Sequence, residues 1–214
     1  MDGHATVVGG CIVDSGKFDW SVGGRYPELT TPDDSYHGVV YTESFGPAAY
    51  VTKARVQMLR DMGNTMSPMA AFLLNLGLET LALRMERHCA NALAVAKFLS
   101  THECVDWVDY PLLEGNAQYE LAQKYLSKGA CGVISVGIKG GRAAATKFLD
   151  NLTLLNIVVH VADARSCALH PASTTHRQLT DAQLVSMMGG QPNTGVANTY
   201  GIGNIPTAGH SPVR

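Results

Sequence analysis

The longest pattern along the chain is an apolar stripe that recurs every three or four residues between residues 67 and 100. Ser67 and Pro68 suit its start, because a serine oxygen can accept from free helical N–H groups and a first-turn proline needs no donor. Gly77 predicts either a kink or close packing. The pattern predicts one long helix whose first half, apolar almost all round, is deeply buried. The stripe consists of Leu74, Leu78, Leu81, Met85, Cys89, Ala92, Ala96 and Leu99.

Four shorter apolar stretches predict β-strands. Val7–Val13 is a continuous run, typical of a central strand buried on both faces. Apolar residues alternate in Cys131–Ile138 and in Ile157–Ala162, as in half-buried strands, and His160 points away from the apolar face of the second stretch. Val105–Tyr110 is the fourth predicted strand.

Helices, a loop and a tail fill the intervals. Residues 21–46 are rich in Pro, Gly, Asp and Ser and predict a long loop, a kind of segment that is often functional. Residues 189–214 lose all periodicity, which predicts a divergent, disordered tail. Helices alternating with one-sided strands indicate a small α+β layer with its helices on one face. The further predicted helices are Pro47–Met62, Gln118–Leu126, Arg142–Leu152 and a short helix opened by the capping box Thr180–Gln183.

Composition narrows the classes of protein. The chain has 214 residues, 46% hydrophobic and 16% charged, which is a globular balance. Its net charge is −2 and its 16 basic residues are scattered, so no nucleic-acid partner is expected. The apolar runs fall short of the roughly 20 residues that a membrane span needs. We expect a protein without a nucleic-acid or membrane partner, and the chain opens on no signal peptide.

Cysteine and histidine usage indicates a reducing, cytoplasmic setting without a metal centre. The five cysteines are odd in number and widely spaced, with no C-x-x-C pair, which argues against disulfides and zinc clusters. None of the eight histidines lies in H-E-x-x-H or a similar ligand spacing.

Motifs for catalysis are weak when read alone. "VISVG" lacks the first glycine of a nucleophile elbow, and "GIKGGR" lacks the end of a P-loop. "GIKGGR" could still offer helix N–H groups to an anion, although an ordinary glycine turn is the favoured interpretation. The hydroxyls of "HPASTTH", Ser173 to Thr175, could bind a polar ligand or cap their own turn.

Longer stretches carry a specific resemblance. "VDSGKFDW", "YPELTTPDDSYHGVVYTESFGPAAYVTKARVQMLRDMG", "SPMAAFLLNLGLETLALRMERH", "LAQKYLSKGACGV" and "HPASTTHRQLTDAQL" resemble the O-acetylhomoserine sulfhydrylases. These belong to the cystathionine synthase/lyase group of pyridoxal-phosphate enzymes of Cys/Met metabolism. The resemblance runs in order over residues 3–186, and the long loop favours the sulfhydrylase branch.

The resemblance implies a fold. It is α/β, with the end of an aspartate aminotransferase-like large domain followed by a small C-terminal α/β domain. Residues 1–66 would be the remnant of the cofactor-binding large domain, and 67–188 the long helix with the small domain. Residues 189–214 would be the divergent tail. Relatives are dimers or tetramers, which implies a homo-oligomer.

The resemblance also implies chemistry. Pyridoxal 5'-phosphate, held on a lysine, supports γ-replacement of acetate by sulfide on O-acetylhomoserine, a small amino acid, in methionine biosynthesis and transsulfuration. That lysine would precede Gly3 and His4, which would therefore lie beside the cofactor segment. Ser67 and His160 would lie near the substrate, where relatives place Asn or Ser at the latter position. Lys17 follows its strand and is no substitute.

Two departures lead us to expect an inactive fragment. The expected cofactor lysine is absent, so no catalytic residue is assigned. The arginine-bearing stretch that binds the substrate carboxylate in relatives is replaced by an unrelated tail, in which Arg214 is no match. We interpret both as signs of a truncated or frame-shifted reading frame. The alternatives are a non-catalytic fragment that assembles with an intact homologue, and a small-ligand binding module anchored by "HPASTTH" and "KGGR".

Overall fold

The chain divides into two compact units. The computed structural model describes residues 2–159, 161, 163–180, 182–184 and 196–200, the last five by their backbone alone. The first unit is Val8–Phe72, and the second combines Met1–Val7 with Leu73–Arg214. The first unit thus ends at Phe72, and the N-terminal residues belong to the same unit as the later part of the chain. Within the described residues, no helix has both the length and the hydropathy of a membrane span.

The first unit consists of short helices around a small core of Leu29, Tyr41 and Ala49. The predicted loop over 21–46 forms brief helical turns, because prolines and left-handed glycines interrupt each of them. The helix predicted over Pro47–Met62 is confirmed, with Gly63 ending it at a φ of 65°. The elements are 3₁₀ turns at Val22–Gly24, Asp34–Tyr36 and Gly46–Ala48, α1 Pro27–Thr30, α2 Tyr41–Phe45, α3 Ala49–Lys53, a π-helical stretch Ala54–Leu59 and α4 Arg60–Met62.

The strand predicted over Val7–Val13 is wrong. These residues form no strand, and Val8 and Val13 are 94% and 89% exposed. A buried strand needs neighbours on both edges and both faces, and no described segment pairs with this run. The prediction failed because an apolar run shows only that burial would be favourable.

The long predicted helix is two helices, α5 Pro68–Glu79 and α6 Leu81–Ser100. The break lies at Thr80, with φ −108° and ψ 6°, and Gly77 instead serves close packing. On α6 the stripe is buried at Ala92 and Ala96. The deep burial predicted for the first half is wrong, since several apolar side chains of α5 are exposed: Met69, Phe72, Leu76 and Leu78.

The second unit is a mixed α/β layer. Its five-stranded sheet has the order β1-β2-β5-β4-β3, antiparallel except for the β3–β4 pair. Ile134 of β2 packs with Ala92 and Ala96 of α6, and Val136 packs with Leu149 of α8, so both helices cover one face as predicted. The elements are β1 Val105–Asp109, α7 Tyr119–Tyr125, β2 Val133–Ile138, α8 Gly141–Asp150, β3 Asn156–Ile157, β4 Cys167–Leu169, a 3₁₀ turn Pro171–Ser173 and β5 Val196–Tyr200.

Two strands differ from the predictions. The strand over Ile157–Ala162 is shortened to Asn156–Ile157, and the alternating Val159 and Val161 are exposed. β5 falls within 189–214, where no regular structure was predicted, yet it lies between β2 and β4. The facing edges of β2 and β4 carry backbone N–H and C=O groups that need hydrogen-bond partners. A segment that extends between these two strands can pair with both of them. The rest of 189–214 lies outside the described residues.

Candidate functional site

Gly3 and His4, predicted to lie beside the cofactor segment, form a tight N-terminal turn, Asp2–Thr6. The Asp2 carboxylate accepts hydrogen bonds from the Thr6 hydroxyl (2.7 Å), the Thr6 N–H (3.1 Å) and the His4 N–H (3.4 Å). These bonds, that of the Thr6 hydroxyl above all, lower the pKa of Asp2 to about 2. Gly3 and Ala5 have left-handed φ values of 76° and 54°. The ionised Asp2 carboxylate thus stabilises a turn whose left-handed residue Ala5 would otherwise be unfavourable.

Three residues of the second unit, which we call the clasp (Gly77, Arg84 and Ala164), hold this turn. The Arg84 guanidinium lies directly against Gly3, where any side chain would collide with it, and also donates to the Gly77 carbonyl. Gly77 touches the backbone of Asp2. The Ala164 N–H donates to the Gly3 carbonyl at 2.6 Å. Gly3 is buried as a result, whereas His4 remains exposed.

A buried polar layer continues behind the clasp. His88, one helical turn after Arg84, is 4% exposed, and Asp163 is 2% exposed. Burial lowers the pKa of His88, the Arg84 charge lowers it further, and Asp163 opposes both. Asp163 pairs with Arg165 at 3.2 Å.

The two residues predicted to lie near the substrate are Ser67 and His160, of which the structure describes Ser67 alone. Ser67 caps α5, its hydroxyl accepting from the Ala70 N–H at 3.1 Å, which confirms the predicted N-cap. Ser67 is exposed and belongs to the first unit, whereas Gly3 and His4 belong to the second. His160 lies outside the described residues.

The hydroxyls of "HPASTTH" mostly serve their own turn. Thr174 Oγ1 donates to the His170 carbonyl at 2.8 Å, and Ser173 Oγ lies 2.9 Å from His170 Nδ1. His170 is 1% exposed, and both its burial and the charge of Arg142 lower its pKa. Arg142 belongs to the "GIKGGR" turn, so the two proposed ligand anchors are close enough to interact. The local capping interpretation accounts for the hydroxyls.

Sequence reasoning missed the clasp and its carboxylate. Nothing in the hydrophobic pattern marks Arg84, which lies beside the stripe of the predicted helix. A usable signal was the spacing of Thr80, Arg84 and His88, which places three polar side chains on one face of a helix. Asp2 could have been suspected from Thr6 four residues later, a spacing that suits a side-chain hydrogen bond. The contacts with Ala164 join segments distant in sequence and had no local signal.

The lysines do not meet the requirements for holding pyridoxal phosphate. A Schiff-base lysine needs a desolvated amine, a phosphate cradle and a carboxylate for the pyridine nitrogen. All seven lysines of the chain lie in the described residues, and six are exposed. The seventh, Lys53, is bound to Asp33 at 2.8 Å. The residues present therefore do not fit a covalently held pyridoxal phosphate. In the described residues no cluster of metal-ligating side chains occurs either.

Comparison with known proteins gives a consistent result. Residues 1–191 match the profile of the Cys/Met metabolism PLP-dependent enzyme family. The chain is 49% identical over 187 residues to the homocysteine synthase of Schizosaccharomyces pombe, covering 87% of this chain and 44% of the relative. It is 47% identical over 180 residues to O-acetyl-L-homoserine sulfhydrylase 1 of Thermus thermophilus, covering 84% and 42%.

A solved structure extends the likeness to the fold. It is described as an O-acetylhomoserine (thiol)-lyase of Campylobacter jejuni carrying a pyridoxyl-lysine phosphate residue. Its TM-score with this chain is 0.77 at 33% identity, covering 86% of this chain and 43% of the other. The chain thus spans less than half the length of each of these relatives.

The mixed α/β layer and the family match over most of the chain agree with the resemblance carried by the sequence motifs. The family's enzymes depend on pyridoxal phosphate. On these grounds, the chain belongs to the Cys/Met metabolism PLP-dependent enzyme family.

Proposed function

We propose that these residues form the C-terminal portion of an O-acetylhomoserine sulfhydrylase, which makes homocysteine from O-acetylhomoserine and sulfide. The observation that carries the proposal is the 49% identity to a homocysteine synthase over 187 residues. The finer assignments belong to the same proposal: a small amino-acid substrate, a homo-oligomer and a cytoplasmic setting. So do residues 1–66 as the end of the large domain and 67–188 as the small domain.

The proposal includes a division of labour, in which one part of the protein supplies the cofactor lysine and another part supports the site structurally. When bound, pyridoxal phosphate supplies the electron sink of γ-replacement. The seven lysines of these residues do not fit that role, so we propose that the cofactor lysine is supplied by other residues of the active assembly. The residues described here would form the structural support of the site, through the N-terminal turn and the clasp.

The first test is chemical. The purified chain is mixed with pyridoxal phosphate, reduced with borohydride and mapped by mass spectrometry. We expect slow, unsaturable labelling spread over the exposed lysines, and no turnover of O-acetylhomoserine with sulfide. Saturable labelling of one lysine with γ-replacement activity would contradict the division of labour.

The second test is complementation. The chain is co-expressed with a homocysteine synthase, such as the Schizosaccharomyces pombe relative, that lacks the region matched by these residues. Recovery of homocysteine synthesis above that of either part alone is expected. Failure of the two parts to associate or to act, while the intact relative is active, would contradict the assignment of this chain to the sulfhydrylase.

A further inference from the structure

The five cysteines of the chain lie in three kinds of environment, and all are free thiols. Cys11 and Cys104 are exposed, and Cys167 is buried in β4. Cys89 on α6 and Cys131, just before β2, are both half-buried. The two half-buried thiols therefore combine access to solvent with partial protection by the fold.

The fold brings Cys89 and Cys131 to the same place in the second unit. The Cys89 side chain points at the backbone of Gly129, where a methyl group would lie 2.8 Å from Cys89 Sγ. Cys131 follows Gly129 by two residues. The hydroxyl of Tyr110, the residue after β1, lies 3.0 Å from the Cys131 carbonyl oxygen and 3.5 Å from that of Cys89. The main chains of both cysteines thus meet at one hydroxyl group.

The electrostatic surroundings of the two thiols agree with this geometry. Burial raises the pKa of the Cys89 thiol, and a charge on Cys131 raises it further. Burial, followed by charges on Cys131 and Cys89, raises the pKa of Tyr110 to about 12. The Cys131 thiol donates to the Val133 carbonyl at 3.4 Å. A thiol is a weak donor, so this bond offers little resistance to a rotation of the Cys131 side chain toward Cys89.

We propose that Cys89 and Cys131 form a redox-responsive dithiol, which closes to an intramolecular disulfide by exchange with a small disulfide such as oxidised glutathione. The Cys131 thiolate attacks one glutathione sulfur, which gives a mixed disulfide and releases one glutathione thiolate. The Cys89 thiolate then attacks the Cys131 sulfur and releases the second glutathione thiolate. The two protein thiols are oxidised, and their protons pass to the two glutathione thiolates formed by reduction of the small disulfide.

The disulfide joins α6 to the segment that enters β2. Ala92 and Ala96 of α6 already pack against Ile134 of β2, so the link reinforces a contact that the folded chain makes without it. A cross-link between residues distant in sequence also restricts the unfolded chain. The oxidised protein should therefore be more stable than the reduced protein. The site lies in the second unit alone and is independent of the proposed sulfhydrylase activity.

The disulfide is tested by a glutathione titration. The full chain carrying C11S and C104S, which lacks the exposed thiols, is equilibrated with mixtures of reduced and oxidised glutathione, alkylated and mapped by mass spectrometry. We expect a linked Cys89–Cys131 peptide that disappears on reduction. Adding C89S or C131S should leave the remaining partner carrying glutathione instead. The proposal is overturned if the linked peptide is absent, or is no more abundant in the folded chain than in guanidinium chloride.

A second measurement tests the proximity of the thiols without oxidation. Phenylarsine oxide exchanges its oxygen for two thiol sulfurs and releases water, so it is retained where two thiols lie close together. The C11S and C104S chain should bind one equivalent. Adding C89S or C131S should abolish binding, whereas adding C167S should preserve it. Binding that survives the loss of Cys89 or Cys131, or no binding at all, contradicts the pair.

Thermal unfolding measures the consequence of the link. The melting temperature of the C11S and C104S chain should rise on oxidation and return on reduction. The same chain with C89S, which cannot form the link, should melt at one temperature under both conditions. A melting temperature that is unchanged or lowered by the Cys89–Cys131 bond would show that the folded chain does not favour the linked geometry, and would overturn the proposal.

Discussion

Two apolar stretches of similar composition, Val7–Val13 and Val133–Ile138, have opposite fates. In β2, Ile134 and Val136 are 0% and 1% exposed, whereas in the first stretch Val8 and Val13 are 94% and 89% exposed. β2 has strands on both edges, β1 and β5. The first stretch has no paired neighbour among the described residues. The hydropathy of a stretch indicates that its burial would be favourable. Whether the stretch is buried depends on the presence of other segments that pack or pair with it.

Truncating one isoleucine in each stretch should give the largest difference in unfolding free energy. Ile134→Ala removes a side chain packed against Ala92 and Ala96 and should cost about 2–5 kcal/mol of unfolding free energy. Ile12→Ala, at a residue 61% exposed, should change it by no more than about 0.5 kcal/mol. Urea unfolding followed by circular dichroism measures both. Equal losses would show that Val7–Val13 is buried in solution.

A glycine in each stretch gives the next effect. A methyl group on Gly137 would collide with the Trp107 indole, and Gly137→Ala should cost about 1–3 kcal/mol. Gly10→Ala meets nothing within 4 Å and should be neutral within about 0.5 kcal/mol. The two melting temperatures make the comparison. A destabilising Gly10→Ala would reveal a contact that the first stretch makes in solution.

The strained turn just before the first stretch should give a smaller, stabilising effect. Ala5 has a φ of 54°, which costs an L-residue about 1–2 kcal/mol. Glycine removes that strain, but it loses about 0.5–1 kcal/mol through its greater freedom in the unfolded chain. Ala5→Gly should therefore stabilise the protein by up to about 1.5 kcal/mol in thermal unfolding. A destabilised variant would show that Ala5 adopts another conformation.

The smallest expected effect lies in the first unit and depends on pH. Hydrogen bonds from Lys53 and Ser35 lower the pKa of Asp33 well below its usual range. A carboxyl with a lowered folded pKa stabilises the fold above its unfolded pKa of about 4 and loses this as pH falls through the folded value. Asp33→Asn should lower the melting temperature at neutral pH, and the difference should shrink in acid. A difference that is independent of pH would contradict the ionic account.

Local patterns predicted the secondary structure of the second unit well. The strands at β1 and β2, the helices α7 and α8, and the Thr180–Gln183 capping box are confirmed, with the box bonded at 2.9 Å and 3.4 Å. Each depends on periodicity or on side chains three residues apart, which sequence displays directly. The break at Thr80 was missed because threonine carries no strong signal of a helix end.

The candidate site was less predictable. The resemblance directed attention to Gly3 and His4, while nothing in the sequence pointed to Arg84, Ala164 or the role of Asp2. Arg84 and Ala164 meet Gly3 across some 80 and 160 intervening positions of the chain. No periodicity or motif encodes such contacts, so they become visible only when the segments are placed in space.

The sequence by itself determined the family, the main helices and strands of the second unit, and the lack of a lysine context suited to pyridoxal phosphate. These depend on residue identity and on neighbours within a few positions. Only the tertiary structure decided which apolar stretch is buried and how the N-terminal turn is held. Those outcomes depend on which segments come into contact, because burial and hydrogen bonding require two segments and cannot be deduced from one of them alone.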